Sequence, residues 1–241
     1  MMSGIRFLFF WLANALLLVI GVPILLVITL IAPRYNRYLA MFWARALIFV
    51  SGFRVKVDGK ENVPPRPVLI AANHTSFFDI LIALGYFPVK FNFVMKKELF
   101  KIPFFGRAVK TLGYFPIDRK NARSAARSLQ ELAAFLRGGK NVFIFPEGTR
   151  GKPEEKNLPL LPFKSGMTRT AFQAQTEVLP VGIDCEAARK KPWRLGQILT
   201  MTIGQPLLPP ISDAREELQN FTDKVRARLE SILAAQVKSV A

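Results

Sequence analysis

Hydrophobic residues follow two regimes along this chain. The 27 residues from Phe7 to Pro33, FLFFWLANALLLVIGVPILLVITLIAP, carry no charge. As a helix they would extend roughly 40 Å at ~1.5 Å per residue, more than the ~30 Å hydrocarbon core of a bilayer. A signal peptide has a shorter apolar run of about 7–15 residues that ends at a small-residue cleavage site. This run has neither feature and predicts a retained membrane anchor. Gly21-Val22-Pro23 predicts a kink within it, and Pro33 closes it. A second apolar stretch, YLAMFWARALIFVSGF (38–53), is short for a crossing and holds Arg45 at its centre. It predicts an interfacial helix with its aromatics at headgroup depth and Arg45 snorkelling towards water. The anchor either spans the bilayer or dips as a hairpin into one leaflet. If it spans, Arg34, Arg37 and Arg45 outnumber Arg6 and place the rest of the chain on the cytoplasmic side, at the inner membrane in a bacterium.

From about residue 54 the pattern becomes that of an α/β unit. Short β-branched or aromatic runs (FRVKV, PVLIAA, FNFVM, VFIF, VLPVGI and LTMTIG) read as strands. Between them lie helical periods. In NARSAARSLQELAAFLRGG, Leu129, Leu132, Ala133 and Leu136 share a face and Gly138-Gly139 form the stop. Another helix closes the chain from about Ser212, with Leu218, Phe221, Val225, Leu229 and Ile232 at three-to-four spacing. Strands alternating with helices predict an α/β fold, a largely parallel mixed sheet covered by helices, behind a hydrophobic helical anchor. The expected division is 1–53 as membrane anchor and 54–241 as catalytic domain. Residues 151–162, GKPEEKNLPLLP, read as a loop.

Charge narrows the function classes. The chain has 34 Lys+Arg against 17 Asp+Glu, a formal charge of +17, yet 51% of its residues are hydrophobic. Basic and apolar together favour an anionic membrane surface, lipid or an acidic protein over nucleic acid, and no nucleic-acid-binding pattern is present. From Lys90 to Arg127 ten Lys/Arg face two acids, interleaved with Phe100, Ile102, Phe104 and Phe105. Cys185 is the single cysteine, so no internal disulfide forms. No cluster of acids, His or Cys has metal-ligand spacing, so no metal or cofactor is expected.

Candidate chemistry gathers where strands end, the usual ligand edge of such sheets. The only histidine, His74, stands between the strand run PVLIAAN and the helix run SFFDILIAL, with Asp79 five residues on. Two readings of Asp79 stay open here. Ser76-Phe-Phe-Asp79 spells a helix capping box, and the same turn would bring Asp79 to one imidazole nitrogen and leave the other as a base. Any near-neutral general base falls to His74. The run NVFIFPEGTR (141–150) ends a strand at Pro146 and then offers a carboxylate, a glycine, a hydroxyl and a guanidinium. Gly148 permits close backbone approach and Arg150 suits phosphate oxygens, although an isolated EGTR also reads as a surface turn with a solvated ion pair. GYFPIDR ends in Asp118-Arg119, and Lys164-Ser165-Gly166 precede a helix start suited to an anion.

Together these motifs resemble the glycerolipid acyltransferases, specifically the 1-acylglycerol-3-phosphate (lysophosphatidate) acyltransferases. Asn73, His74 and Asp79 match the family's N-H-x-x-x-x-D; Phe115 to Arg119 match F-x-I-D-R; Phe145 to Arg150 match F-P-E-G-T-R. Leu179-Pro180-Val181 approximates a weaker V-P-V motif, and the order holds over residues 54–208. The resemblance implies acyl transfer from a thioester, acyl-CoA or acyl carrier protein, to the sn-2 hydroxyl of lysophosphatidate. It makes His74 the general base oriented by Asp79, with no covalent acyl-enzyme. Helix-start N–H groups beyond His74, or other donors of the family, are expected to stabilise the oxyanion. It also implies that Arg119, Glu147, Gly148, Thr149 and Arg150 bind the acceptor's glycerol phosphate. Lys164 joins them from its own position before a helix. The same chemistry on another lysolipid, such as a lyso-ornithine lipid, and a non-catalytic basic membrane adaptor are the competing functions.

Overall fold

A computed structural model of the chain describes residues 12, 15–118, 121–150, 160–189 and 195–240. Its frame is set by strands that bury both faces. Leu69–Ala72 (β2) sends Ile70 and Ala72 into one core and Leu69 and Ala71 into the other, all fully buried. Each such Leu or Ile contributes ~1.5–3 kcal/mol by leaving water, and a strand covered on both faces reads as an unbroken apolar run. The flanking strands are Val142–Ile144 (β5) and Val178–Asp184 (β6), each parallel to β2. Asn92–Lys96 (β3) pairs parallel with β5, and Phe115–Ile117 (β4) pairs parallel with β3 at the edge. On the other side, Ile198–Ile203 (β7) runs antiparallel to β6, and Arg54–Asp58 (β1) pairs parallel with β7. The described sheet thus has the order β1-β7-β6-β2-β5-β3-β4. The expected α/β architecture with a largely parallel mixed sheet is the one observed.

Two helical layers cover it. One holds Asn36–Val50 (α2) and Phe77–Tyr86 (α3), packed on each other over Ile70, Phe143 and Val181. The other holds Ala122–Arg137 (α5), Gly166–Ala174 (α6) and the long closing helix Arg215–Val240 (α8), over Leu69, Val142 and Val178. A short helix, Phe105–Thr111 (α4), stands between β3 and β4, and Glu186–Arg189 (α7) follows β6. Residues 122–137 bury Leu132, Ala133 and Leu136, as their spacing predicts.

The N-terminal segment departs from a single long rod. Residues 7–11, 13 and 14 of the expected anchor lie outside the described residues. Beyond them a π-turn, Leu17–Gly21, runs into Val22–Ile31 (α1), so helix geometry changes where Gly21-Val22-Pro23 stands. Among the described residues no helix is long and apolar enough to cross a membrane. Residues 36–50 form the expected second helix, but one face is part of the protein core: Ala44, Leu47 and Ile48 are buried while Tyr38, Phe42 and Phe49 point outward. The exposed Arg45 donates from Nε to the Gly85 carbonyl at 2.7 Å and its guanidinium lies over Tyr86, so it also caps the end of α3. Gly85 allows this approach, because a Cβ there would meet Arg45 Cγ at 3.2 Å.

Candidate active site

β2, β5, β3 and β4 are parallel, so their C-terminal ends open on one edge of the sheet. The register then decides which loop residues meet. Ala71 lies opposite Ile144, so the residues three further on, His74 and Glu147, stand opposite each other. The His74 backbone N–H donates to Glu147 Oε1 at 2.7 Å. Likewise Lys96 lies opposite Ile117, and the next pair, Lys97 and Asp118, forms an ion pair at 3.2 Å. Between β2 and β6, the buried Asn73 side chain exchanges hydrogen bonds with Ile183, donating at 2.8 Å and accepting at 2.7 Å. Asn73 thereby fixes the strand end from which His74 departs.

His74 Nδ1 lies 3.2 Å from Asp79 Oδ2. That oxygen also accepts the N–H groups of Thr75, at 2.6 Å, and Ser76, at 2.8 Å. Ser76 Oγ accepts from Phe78 N–H, and the full capping box is formed. The cap and the imidazole contact are therefore one arrangement, held by a carboxylate with no exposure. A carboxylate only accepts, so Nδ1 carries the proton and Nε2 is left with its lone pair. The ring stacks on Phe145, centroids 4.0 Å apart and planes 15° from parallel, which fixes its second rotational freedom. One expectation changes: the N–H groups of Thr75 and Ser76 are engaged by Asp79, so these two are not oxyanion donors.

Glu147 stands under this arrangement. It is buried, and its two carboxylate oxygens accept from His74 N–H and, at 2.9 Å, from Leu161 N–H. Burial raises its pKa, while those two N–H groups pull the other way. A carboxylate turned inward and occupied at both oxygens ties the two loops together. Beside it, Lys164 N–H donates to the Pro146 carbonyl at 2.9 Å, so residues 161–164 are tied to Pro146-Glu147 at two points. Gly148 adopts φ 73°, which favours glycine, and Thr149, Arg150 and the Lys164 side chain are exposed along the same edge. Arg119 lies outside the described residues; its neighbour Asp118 is held by Lys97 and by Ser128 Oγ on its N–H.

A cavity of about 520 Å³ begins at His74 and Gly148. It runs between α2, α3, β3 and α4, walled by residues such as Trp43, Leu84, Val94, Ala108 and Tyr114. Its size lies within the ~300–1,000 Å³ of small-molecule sites, and its wall is almost wholly apolar. Burial pushes the Tyr114 phenol up, so it stays neutral there. No cluster of His, Cys, Asp or Glu able to hold a metal occurs among the described residues. The cavity, the Phe145 stack and the Glu147 clamp are what the sequence reading missed. Only Phe145 and Glu147 carried a signal, as members of a recognised motif.

A family profile described as Acyltransferase matches residues 54–184. Among similar proteins, the 1-acyl-sn-glycerol-3-phosphate acyltransferase of Helicobacter pylori is 32% identical over 169 residues, 70% of this chain and 69% of that protein. The chloroplastic 1-acyl-sn-glycerol-3-phosphate acyltransferase LPAT1 of Arabidopsis thaliana is 32% identical over 169 residues, covering 68% of this chain and 45% of that protein. Matches to several of these relatives span about half of their length. The crystal structure of the 1-acyl-sn-glycerophosphate (LPA) acyltransferase PlsC from Thermotoga maritima superposes with a TM-score of 0.68 at 25% identity, covering 94% of this chain and 95% of that one. The chain belongs to the acyltransferase family, among the 1-acyl-sn-glycerol-3-phosphate acyltransferases.

Proposed function

We propose that the protein transfers an acyl group from a thioester to the sn-2 hydroxyl of 1-acylglycerol-3-phosphate, giving phosphatidate. The observation that carries this reading is His74, held by the buried Asp79, standing in the wall of an apolar cavity. His74 Nε2 takes the hydroxyl proton as the oxygen attacks the thioester carbonyl. The tetrahedral intermediate then collapses, the C–S bond breaks, and the imidazolium returns the proton to the leaving thiolate. Asp79 holds the tautomer and stabilises the imidazolium, so no acyl-enzyme is needed. The donor's chain starts at the reacting carbon itself and must lead directly away from His74, which is what the cavity offers.

Arg150 and Lys164, with Gly148 and Thr149, bind the phosphate end of the acceptor, and Arg119 joins them as the last residue of the F-x-I-D-R motif. Glu147 serves that site indirectly, through the two loops it clamps. The hydrophobic N-terminal segment holds the enzyme at a bilayer, with the catalytic part facing the cytoplasm, where acceptor and product both reside. The donor is acyl-CoA or acyl carrier protein, since both present the same thioester. The test pairs each donor with lysophosphatidate, neutral lysophospholipids and a lyso-ornithine lipid, using detergent-purified full-length protein. Lysophosphatidate should give the highest kcat/KM; a neutral lysolipid accepted equally well would remove the phosphate from the reading.

A further inference from the structure

Between the 3₁₀ turn Lys97–Lys101 and α4, the chain exposes Ile102, Pro103 and Phe104 in succession. Ile102 is 47% and Phe104 69% exposed. Phe104 also takes φ 60° and ψ −54°, the strained γ-turn geometry at positive φ, with Phe105 N–H donating to the Pro103 carbonyl at 2.6 Å. The turn is nonetheless tightly built. Gly106 N–H donates to the Ile102 carbonyl at 2.7 Å and Ala108 N–H to the Phe104 carbonyl at 2.9 Å. A Cβ on Gly106 would meet the Phe100 carbonyl at 2.1 Å, so the backbone is pressed against the preceding turn. Its neighbours Leu99 and Phe105 face inward and line the cavity, while Ile102 and Phe104 face out.

In water such a residue carries two penalties, strain and exposure. Two surroundings say what covers it. Exposed Lys97, Lys101, Arg107 and Lys110 ring the turn, and α1, with Ile24, Val27 and Ile31 exposed, packs against α4. The apolar surface of the turn is therefore continuous with the N-terminal helix and bordered by cations.

We propose that Ile102–Phe104 is a rigid wedge that enters an anionic lipid leaflet, with the lysines and arginine at phosphate depth, and brings the cavity's α4 wall to the bilayer. The inference rests on the membrane reading above and adds a second contact to it. Cys185 is buried, so Phe104→Cys provides one reactive thiol in the full-length protein. An environment-sensitive fluorophore there is compared with one at Lys224→Cys, on α8 in the opposite helical layer. Both proteins are placed on phosphatidylglycerol vesicles that carry lipid-borne quenchers.

The probe at 104 should be quenched several-fold more than the probe at 224. Separately, Phe104→Asn, which removes the apolar ring, should slow transfer to vesicle-borne lysophosphatidate about tenfold, and transfer to a short-chain dissolved acceptor should be unchanged. Equal quenching at both positions on protein that floats with the vesicles overturns the wedge and leaves the N-terminal anchor standing. Protein that does not float overturns both. A probe at 104 that ignores lipid but responds to an acidic carrier protein assigns the turn to that partner and removes the lipid proposal.

Discussion

Asp79 shows how little a residue's chemistry is separated from its structural duty. One oxygen closes the α3 cap and touches His74, and the other, Oδ1, is buried with no partner among the described residues. In Asp79→Asn the amide oxygen can still accept the two N–H groups, while the NH₂ replaces an oxygen that had nothing to bond. The cap should survive to within about 1 kcal/mol by thermal unfolding. Turnover should fall on the order of 10²-fold or more, because the charge that stabilises the imidazolium is gone. Near-normal turnover would reduce Asp79 to a cap. Glu147→Gln leaves one of two backbone N–H groups without its acceptor, a loss of about 1–3 kcal/mol by denaturant unfolding. Burial raises the Glu147 pKa, so the stability linked to its proton is complete below the ordinary value of 4.5 and is lost as pH rises through the raised one. The wild type should therefore gain on Glu147→Gln as pH is lowered from neutrality; a constant difference would contradict the buried clamp. The motif residues themselves were legible in the sequence. The partner of Glu147 was not, because it follows from a strand register that no local pattern records.

At the scale of elements, six strands and the two long helices of the domain could be read from period and punctuation. β4 could not: it is three residues long, contains Pro116 and sits at the sheet edge, where a residue without N–H is tolerated. Nor does a period-2 run state its direction, so the antiparallel turn of β7 against β6 appears only in the fold. The cavity was hidden for a similar reason, since its wall draws on residues from Ala40 to Gly148 across five strands and helices. Ala108, on α4, is nearly fully buried and lines it. Ala108→Phe should fill the path and shift donor preference to shorter chains, lowering kcat/KM for long-chain thioesters by about 10–200-fold while sparing short ones. An unchanged chain-length profile would place the acyl chain elsewhere.

For the molecule as a whole, the proposed function puts the apolar N-terminal run and the basic, aromatic stretch from Lys90 to Arg127 at one bilayer surface. Salt weakens exposed charge contacts over a Debye length of ~8–10 Å but leaves apolar burial intact. Full-length protein should stay with membranes in high salt and at alkaline pH and leave only in detergent; release by salt alone would contradict a hydrophobic anchor. The central claim is that His74 removes the acceptor's proton while Asp79 fixes its tautomer. The most direct measurement is the rate of phosphatidate formation from an acyl thioester and lysophosphatidate by detergent-purified wild type and His74→Ala, each checked for the same unfolding temperature. The account predicts a fall in kcat on the order of 10²–10⁴-fold with the fold retained. Turnover by His74→Ala within a few-fold of wild type would contradict it.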